Sequence, residues 1–219
     1  MENETDLIAT RGMMRYLYLL TASPQGKSFM SSRLRIGNSL KIWGFAALCC
    51  YAVHGGFHLL NGRPAELLWM CHLGAAIVGI GLLRSSPTLN GIGTLFLCVG
   101  TPLWVMYLAG GGEFYPTSAL PHIGGLAIGL YGVRRLGLRA GVWWQAVLSL
   151  IALILITRLV TPPAANINVA FAVYPRLEKT FPSHLVYLAT MMAIAAAYFL
   201  ICENALRRWL VLETAEGLP

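Results

Sequence analysis

Five histidines are the residues of this chain whose type and spacing could do chemistry: His54, His58, His72, His122 and His184. The first two stand four residues apart in YAVHGGFHLL, so on a helix their imidazole rings share one face. Imidazole is the commonest metal ligand in proteins and also binds haem iron. Because ionisable side chains are costly at membrane depth, histidines in apolar stretches indicate a functional site.

One cysteine stands beside this set. WMCHLG places Cys71 next to His72, and a cysteine becomes a nucleophile when its pKa is lowered or a base lies close by. Neighbours on a helix point about 100° apart, so His122 or His184 is better suited than His72 to activate this thiol. A buried, inert thiol is the alternative interpretation. The other four cysteines show no CxxC spacing.

The elements that carry these residues are predicted to be membrane spans. The chain is 57% hydrophobic and 11% charged, whereas soluble domains carry about 25% charged residues. We therefore predict an all-α, polytopic helical membrane bundle. Six apolar stretches are long enough to span a bilayer core of about 30 Å: residues 41–60, 65–84, 89–109, 118–134, 139–160 and 182–202.

The basic residues predict the orientation. With a cytoplasmic N-terminus, twelve of the 16 lysines and arginines fall on the cytoplasmic side, in agreement with the positive-inside rule. The net charge of +7 is thus explained by topology, and we expect no nucleic-acid partner. Residues 1–40 are predicted to be a cytoplasmic or interfacial segment, 41–202 the six-span bundle and 203–219 a cytoplasmic tail. The predicted location is a bacterial inner (plasma) membrane.

In this orientation all five histidines lie in the outer part of the bilayer. They could form one shared outer-facing site, or each could reach separately for water and headgroups. Glycines at close spacing, such as Gly125 and Gly129 in PHIGGLAIGLYG, predict that the second and fourth spans pack centrally. The long outer loop 161–181 carries an apolar stretch, NVAFAVYP, that could fold back onto the bundle.

The order of four segments resembles a known family. CHLGAAIVGIGLL, SALPHIGGLAIGLYGV, NINVAFAVYP and FPSHLVYL together resemble the YwaF-like bacterial integral membrane proteins, relatives of eukaryotic transmembrane glycerophospholipid acyltransferases. The resemblance covers roughly residues 66–200 and implies a bundle of six or seven spans. It also implies that Cys71 accepts an acyl group with His122 as its partner. Asn166 or Asn168 would match the asparagine before the last span.

Three functions remain open at this point. The first is acyl transfer or thioester hydrolysis on a membrane lipid. Its catalytic residues would come from Cys71, His72, His122 and His184, and its substrate contacts from Trp69, Asn166 and Asn168. The second is a haem- or divalent-metal-binding protein that uses the histidine cluster, with His54 and His58 as ligands. The third is a transporter or an assembly partner of another membrane protein, since intramembrane polar residues also line substrate paths.

Overall fold

The computed structural model describes residues 24–175 and 177–215, and of residues 24–37 and 211–215 it describes the backbone alone. The described residues divide into two units, with the boundary between Lys41 and Ile42. Most of the predicted N-terminal segment, residues 1–23, lies outside the described residues. Within the described ranges the chain is helical and contains no β-strand, which confirms the all-α prediction.

Six α-helices lie in the described part of the chain: α1 (Pro24–Leu60), α2 (Met70–Leu83), α3 (Pro87–Ala109), α4 (Leu126–Leu136), α5 (Val142–Val160) and α6 (His184–Ala215). Short helical segments connect them. They are 3₁₀-helices at Pro64–Leu68, Pro116–Ser118, Pro163–Ala165 and Ile167–Val169, and a π-helix at Leu120–Gly125. Because α6 continues to Ala215, much of the predicted C-terminal tail extends the last helix.

Four of the helical stretches are long and apolar enough to cross a membrane: Asn38–Leu60 within α1, the whole of α3 and α5, and His184–Leu210 within α6. They correspond to the first, third, fifth and sixth predicted spans. Their surfaces are strongly apolar, with Leu159 84% and Leu185 75% exposed. An integral membrane protein is therefore supported, while the count of six spans stays a prediction.

The second and fourth predicted spans are built differently. Trp69 adopts an extended backbone (ψ 134°) between Pro64–Leu68 and α2. This leaves α2 with 14 residues, or about 21 Å, which is short of a bilayer core. The fourth predicted span combines the segments Pro116–Ser118 and Leu120–Gly125 with α4. A π-helix of this kind is frequent at functional sites.

Glycines bring α2 close to its neighbours. A Cβ on Gly93 of α3 would lie 2.6 Å from the carbonyl oxygen of Gly74 and 2.7 Å from the backbone nitrogen of Val78. A Cβ on Gly79 of α2 would lie 2.8 Å from the carbonyl oxygen of Gly44 on α1. Two backbones can approach this closely only where both surfaces carry small residues. Consequently α2 packs against both α1 and α3.

Helices α5 and α6 cover the other side of α3. Phe96 of α3 stacks on Phe199 of α6, with ring centroids 5.8 Å apart, and both side chains are fully buried. The buried carboxylate of Glu203 accepts hydrogen bonds from the backbone N–H groups of Gly141 and Trp143, each at 2.8 Å. It thereby satisfies two of the free donors at the start of α5 and places a negative charge at the positive end of the helix dipole.

The long segment between α5 and α6 returns to the bundle. Ile167 and Ala170 are fully buried, and Asn168 is 8% exposed. The Asn168 side chain accepts a hydrogen bond from the backbone nitrogen of Met70 (2.9 Å) and donates one to the carbonyl oxygen of Leu68 (2.7 Å). The apolar stretch therefore folds back as its composition suggested, and it fixes the position at which α2 begins.

Candidate functional site

Four of the five histidines come together at one end of the bundle. His54 and His58 lie on the last two turns of α1, His72 on the first turn of α2, and His122 in the π-helix Leu120–Gly125. All four are buried, at 2%, 4%, 7% and 2% exposure respectively. The clustering follows from the sequence spacing, because His54 and His58 share a face of α1, and from the glycine contacts that bring α1 against α2.

The ring nitrogens of three histidines converge on one point. His54 Nε2 lies 3.1 Å from His72 Nε2 and 3.1 Å from His58 Nε2. One ligand nitrogen from each of the three rings lies within 4.8 Å of the other two. Nitrogen atoms at this separation require a proton or a cation between them, because bare lone pairs repel one another.

Backbone carbonyls fix the protonation of two of the four rings. His72 Nδ1 donates to the carbonyl oxygen of Glu66 at 2.8 Å, and His122 Nδ1 donates to the carbonyl oxygen of Ser118 at 2.7 Å. Because a carbonyl oxygen can only accept, the proton of each neutral ring is on Nδ1 and Nε2 presents its lone pair. This arrangement is typical of metal-binding histidines, whose other ring nitrogen is held by a carbonyl or carboxylate.

Hydrogen bonding among the rings cannot satisfy the cluster by itself. His54 Nδ1 lies 3.0 Å from the hydroxyl oxygen of Thr117, which leaves Nε2 to face two neighbours. One proton on His54 Nε2 cannot point at both His58 and His72. Within the described residues, His58 Nδ1 is buried and has no hydrogen-bond partner. Buried polar atoms without partners are uncommon, and a functional role is one explanation for such an atom.

Cys71 belongs to a second group of ligand atoms. Its sulfur and one nitrogen each from His72 and His122 lie within 4.8 Å of one another. His72 is common to both groups, and with Nδ1 bound to a carbonyl it offers only Nε2. Cys71 packs against Gly100, where an added Cβ would lie 2.4 Å from the cysteine Cβ. The Cys71 sulfur and a ring nitrogen of His122, the pair that the resemblance implies, thus lie within 4.8 Å of each other.

Aromatic and charged groups surround the cluster. Trp104 of α3 stacks on the His122 ring, with centroids 4.7 Å apart at 11°. Tyr115 packs edge-on against His58 at 6.2 Å and hydrogen bonds to both Arg63 and Glu113. The bond to Glu113 raises the pKa of the Tyr115 hydroxyl above its ordinary value, so this phenol stays neutral at physiological pH. Arg63, Glu113 and Tyr115 form a polar rim beside the buried, imidazole-lined interior.

The remaining predicted site residues lie outside the histidine cluster, and two of them hydrogen bond to backbone groups that shape loops and helix ends. His184 contacts Arg158 (3.3 Å) and the carbonyl oxygen of Val169 (3.0 Å), away from the other four histidines. Asn166 accepts from the backbone nitrogens of Phe171 and Ala172 at 3.0 Å each, which shapes the loop. Asn168 anchors the start of α2, as described above. The Trp69 indole donates to the carboxylate of Glu66.

Sequence reasoning did not identify Thr117, Ser118 or Trp104 as part of the site. Thr117 and Ser118 stand five and four residues before His122 in PTSALPH, so Ser118 is about one helical turn from His122 and Thr117 is further away. That spacing is a usable signal for Ser118. Thr117, by contrast, contacts His54 across 63 positions of sequence, which no local pattern reveals.

Comparison of the chain with protein-family models, curated proteins and solved structures gives no match. The resemblance to the YwaF-like proteins therefore stays a prediction.

Proposed function

We propose that this chain is an integral membrane protein that binds a transition-metal ion through His54, His58 and His72. The observation that carries the proposal is the convergence of the three ring nitrogens, with His54 Nε2 3.1 Å from each of the other two. Two imidazole ligands of a tetrahedral zinc ion stand about 3.3 Å apart, given zinc–nitrogen bonds of about 2.0–2.1 Å. The two separations from His54 are close to this value, and the His58 and His72 ligand nitrogens lie within 4.8 Å of each other.

The ligand chemistry narrows the class of ion. Three imidazoles suit zinc, copper, iron or nickel, whereas magnesium and calcium prefer carboxylate and carbonyl oxygens. A set of three protein ligands is typical of catalytic zinc sites, which leave a fourth position open for water or substrate. An ion held here would supply Lewis acidity, and the bare Nε2 of neighbouring His122 would be placed to hold or accept a proton.

The same distances favour a metal ion over haem. Two axial histidines bind haem iron from opposite faces, which places their nitrogens about 4 Å apart at metal–nitrogen bonds of about 2 Å. The 3.1 Å contacts of His54 are shorter than this separation, and they join three rings where haem would need two.

Metal stoichiometry tests the proposal. Chelator-stripped protein in detergent is titrated with Zn²⁺ and then washed, and the retained metal is measured by inductively coupled plasma mass spectrometry. We expect about one zinc per chain for the wild type. His54→Gln should lose tight binding, because His54 Nε2 contacts the ring nitrogens of both His58 and His72. His184→Gln is the matched control, because that histidine lies outside the cluster. Equal zinc in wild type and His54→Gln would reject the proposal.

A second candidate, acyl transfer, is favoured by the approach of Cys71 to His122. The thiol proton would pass to His122 Nε2 as Cys71 sulfur attacks the ester carbonyl carbon of a lipid. The lipid alcohol would leave with that proton, and an acceptor hydroxyl would then release the acyl group from the thioester. The resemblance to acyltransferases supports this route.

The two candidates separate in one pair of measurements on Cys71→Ser. The metal proposal expects this variant to retain zinc, since Cys71 is not among the three converging imidazoles. The acyl-transfer candidate expects intact-protein mass spectrometry to show a hydroxylamine-sensitive acyl adduct on the wild type, which Cys71→Ser lacks. Wild-type protein without such an adduct after incubation with phospholipid would count against acyl transfer.

A further inference from the structure

An apolar groove runs along the surface between α5 and α6. It has a volume of about 110 Å³ and is lined by Ile151, Ile154, Leu155, Leu188 and Met192, with Arg158 at one end. Both helices belong to the set that is long and apolar enough to cross a membrane. The groove therefore faces the region where lipid chains lie, and its basic end is near the C-terminus of α5.

Arg158 is held in position by a backbone carbonyl and a histidine. Its Nε donates to the carbonyl oxygen of Ala170 at 2.6 Å, and its Nη2 lies 3.3 Å from His184 Nδ1. His184 Nε2 lies 3.0 Å from the carbonyl oxygen of Val169, so the proton is on Nε2 and Nδ1 accepts from the guanidinium. Among the residues that the structure describes, no carboxylate forms an ion pair with Arg158.

This arrangement leaves donors for an anion. A guanidinium has five N–H donors, and two of those of Arg158 are used by the contacts above. Arg158 also lines the hydrophobic groove, so its remaining three donors are near the groove. An arginine in this position can bind two oxygens of one phosphate, which a lysine cannot do.

We propose that the groove binds one acyl chain of a membrane phospholipid, whose phosphate is held by Arg158. The shape agrees: Ile151 and Arg158 are seven residues apart on α5, or about 10 Å along the helix, so the groove is long enough for a short stretch of an extended acyl chain. The charges are complementary, since the phosphate is negative and the guanidinium is positive. His184 acts as the group that orients the guanidinium.

Lipid retention in native mass spectrometry tests this site. Protein is released from nanodiscs of phosphatidylglycerol, and the fraction carrying a bound lipid is measured. We expect that fraction to fall at least fivefold in Arg158→Gln. Arg208→Gln, which changes an exposed arginine on α6 away from the groove lining, is the matched control and should retain lipid as the wild type does. We expect the wild type and both variants to bind the same amount of zinc, because His54, His58 and His72 do not line the groove.

A second variant separates the groove from the charge. Leu155→Trp fills the groove and leaves Arg158 in place, and it should reduce lipid retention as strongly as Arg158→Gln. Retention unchanged in both variants would overturn the proposal. If lipid were lost only in Arg158→Gln, or if millimolar inorganic phosphate displaced the lipid, the site would be a plain anion site without an acyl chain. Either result would also overturn the proposal. Capture of a second helix in place of lipid would do the same.

Discussion

At the scale of single residues, the nitrogen His54 Nε2 distinguishes this cluster from an ordinary buried network. It faces His58 and His72 at equal distances of 3.1 Å, and the His72 ring presents a lone pair because its proton is held by a backbone carbonyl. A cation can bind all three nitrogens together, whereas a single proton cannot. An unpaired buried polar group costs about 1–3 kcal/mol, so the cluster is more easily explained by ligand binding than by stability.

Thr117 is expected to position His54 for binding. Replacing its hydroxyl in Thr117→Val removes the 3.0 Å contact with His54 Nδ1, so the ring is no longer held. We expect the zinc dissociation constant, measured by competition with a chromogenic chelator, to rise about 10- to 100-fold, as for other groups that orient metal ligands. The stoichiometry at saturating zinc should stay the same. Thr190→Val, on the exposed surface of α6, is the control; equal affinities in the two variants would contradict this role.

Sequence reasoning reached the histidines from two signals, the local spacing on one helix and a common depth in the membrane. The spacing of His54 and His58 and the shared depth of His72 and His122 led to a common site, and the structure brings these four together. It places His184 instead beside Arg158. Depth alone could not separate His184, because the arrangement of helices around the bundle decides which residues at one depth meet.

At the scale of elements, close backbone contacts determine which side chains meet. Gly44 on α1 and Gly79 on α2 allow the backbone approach that sets His54 and His58 opposite His72. On the other side of α2, Gly74 and Gly93 do the same with α3, which carries Trp104 to the His122 ring. The site therefore depends on helix packing at a distance from the histidines themselves.

Gly93→Ala tests this dependence. The added Cβ would meet backbone atoms of α2 at 2.6 and 2.7 Å, and backbone cannot move aside as a side chain can. We expect the free energy of unfolding, from titration of mild detergent with SDS, to fall by about 1–3 kcal/mol. Gly56→Ala in α1 meets nothing within 4 Å and should leave stability equal or raise it by up to about 1 kcal/mol. If both variants behaved alike, close packing of α2 on α3 would be disproved.

Asn168→Ala tests the anchor at the start of α2. The change removes the hydrogen bonds with Met70 and Leu68 and leaves both backbone groups without these partners. The same unfolding titration should show a loss of about 1–3 kcal/mol. Asn61→Ala removes an exposed bond to the Phe57 carbonyl and is expected to change stability by less than about 0.5 kcal/mol. A loss no larger than that in Asn168→Ala would show that the loop does not support α2.

The sequence predicted the existence of the elements better than their lengths. Hydropathy placed a second span at 65–84, but the extended backbone at Trp69 separates a 3₁₀-helix from α2. A hydropathy window averages across such a break because Trp69 and its neighbours are apolar. The π-helix at Leu120–Gly125 was hidden for the same reason, although Pro121 lies within it.

At the scale of the whole molecule, the composition and the four long apolar helices agree on membrane insertion. The distribution of lysine and arginine predicts that the histidine end of the bundle faces outward. A metal centre near that face would exchange its ion and substrate with the non-cytoplasmic side through the rim of Arg63, Glu113 and Tyr115. The bacterial inner membrane and any membrane-protein partner stay predictions.

Cysteine labelling in intact cells tests this orientation. In a background with the native cysteines replaced by serine, Glu113→Cys on the rim should react with a membrane-impermeant maleimide. Arg208→Cys near the end of α6 should react only after the cells are permeabilised, because twelve of the 16 basic residues predict a cytoplasmic location for this end. The reverse pattern of labelling would invert the topology, and labelling of both in intact cells would refute the separation of the two ends.

The central claim, that three imidazoles converge to bind a metal ion, is tested most directly by X-ray absorption at the zinc edge. We predict a first shell with nitrogen at about 2.0–2.1 Å and outer-shell scattering from three imidazole rings, reduced to two rings in His58→Gln. A sulfur neighbour at about 2.3 Å, with fewer than three imidazoles, would assign the ion to the Cys71 group and contradict the claim. A shell of oxygen alone would contradict it as well.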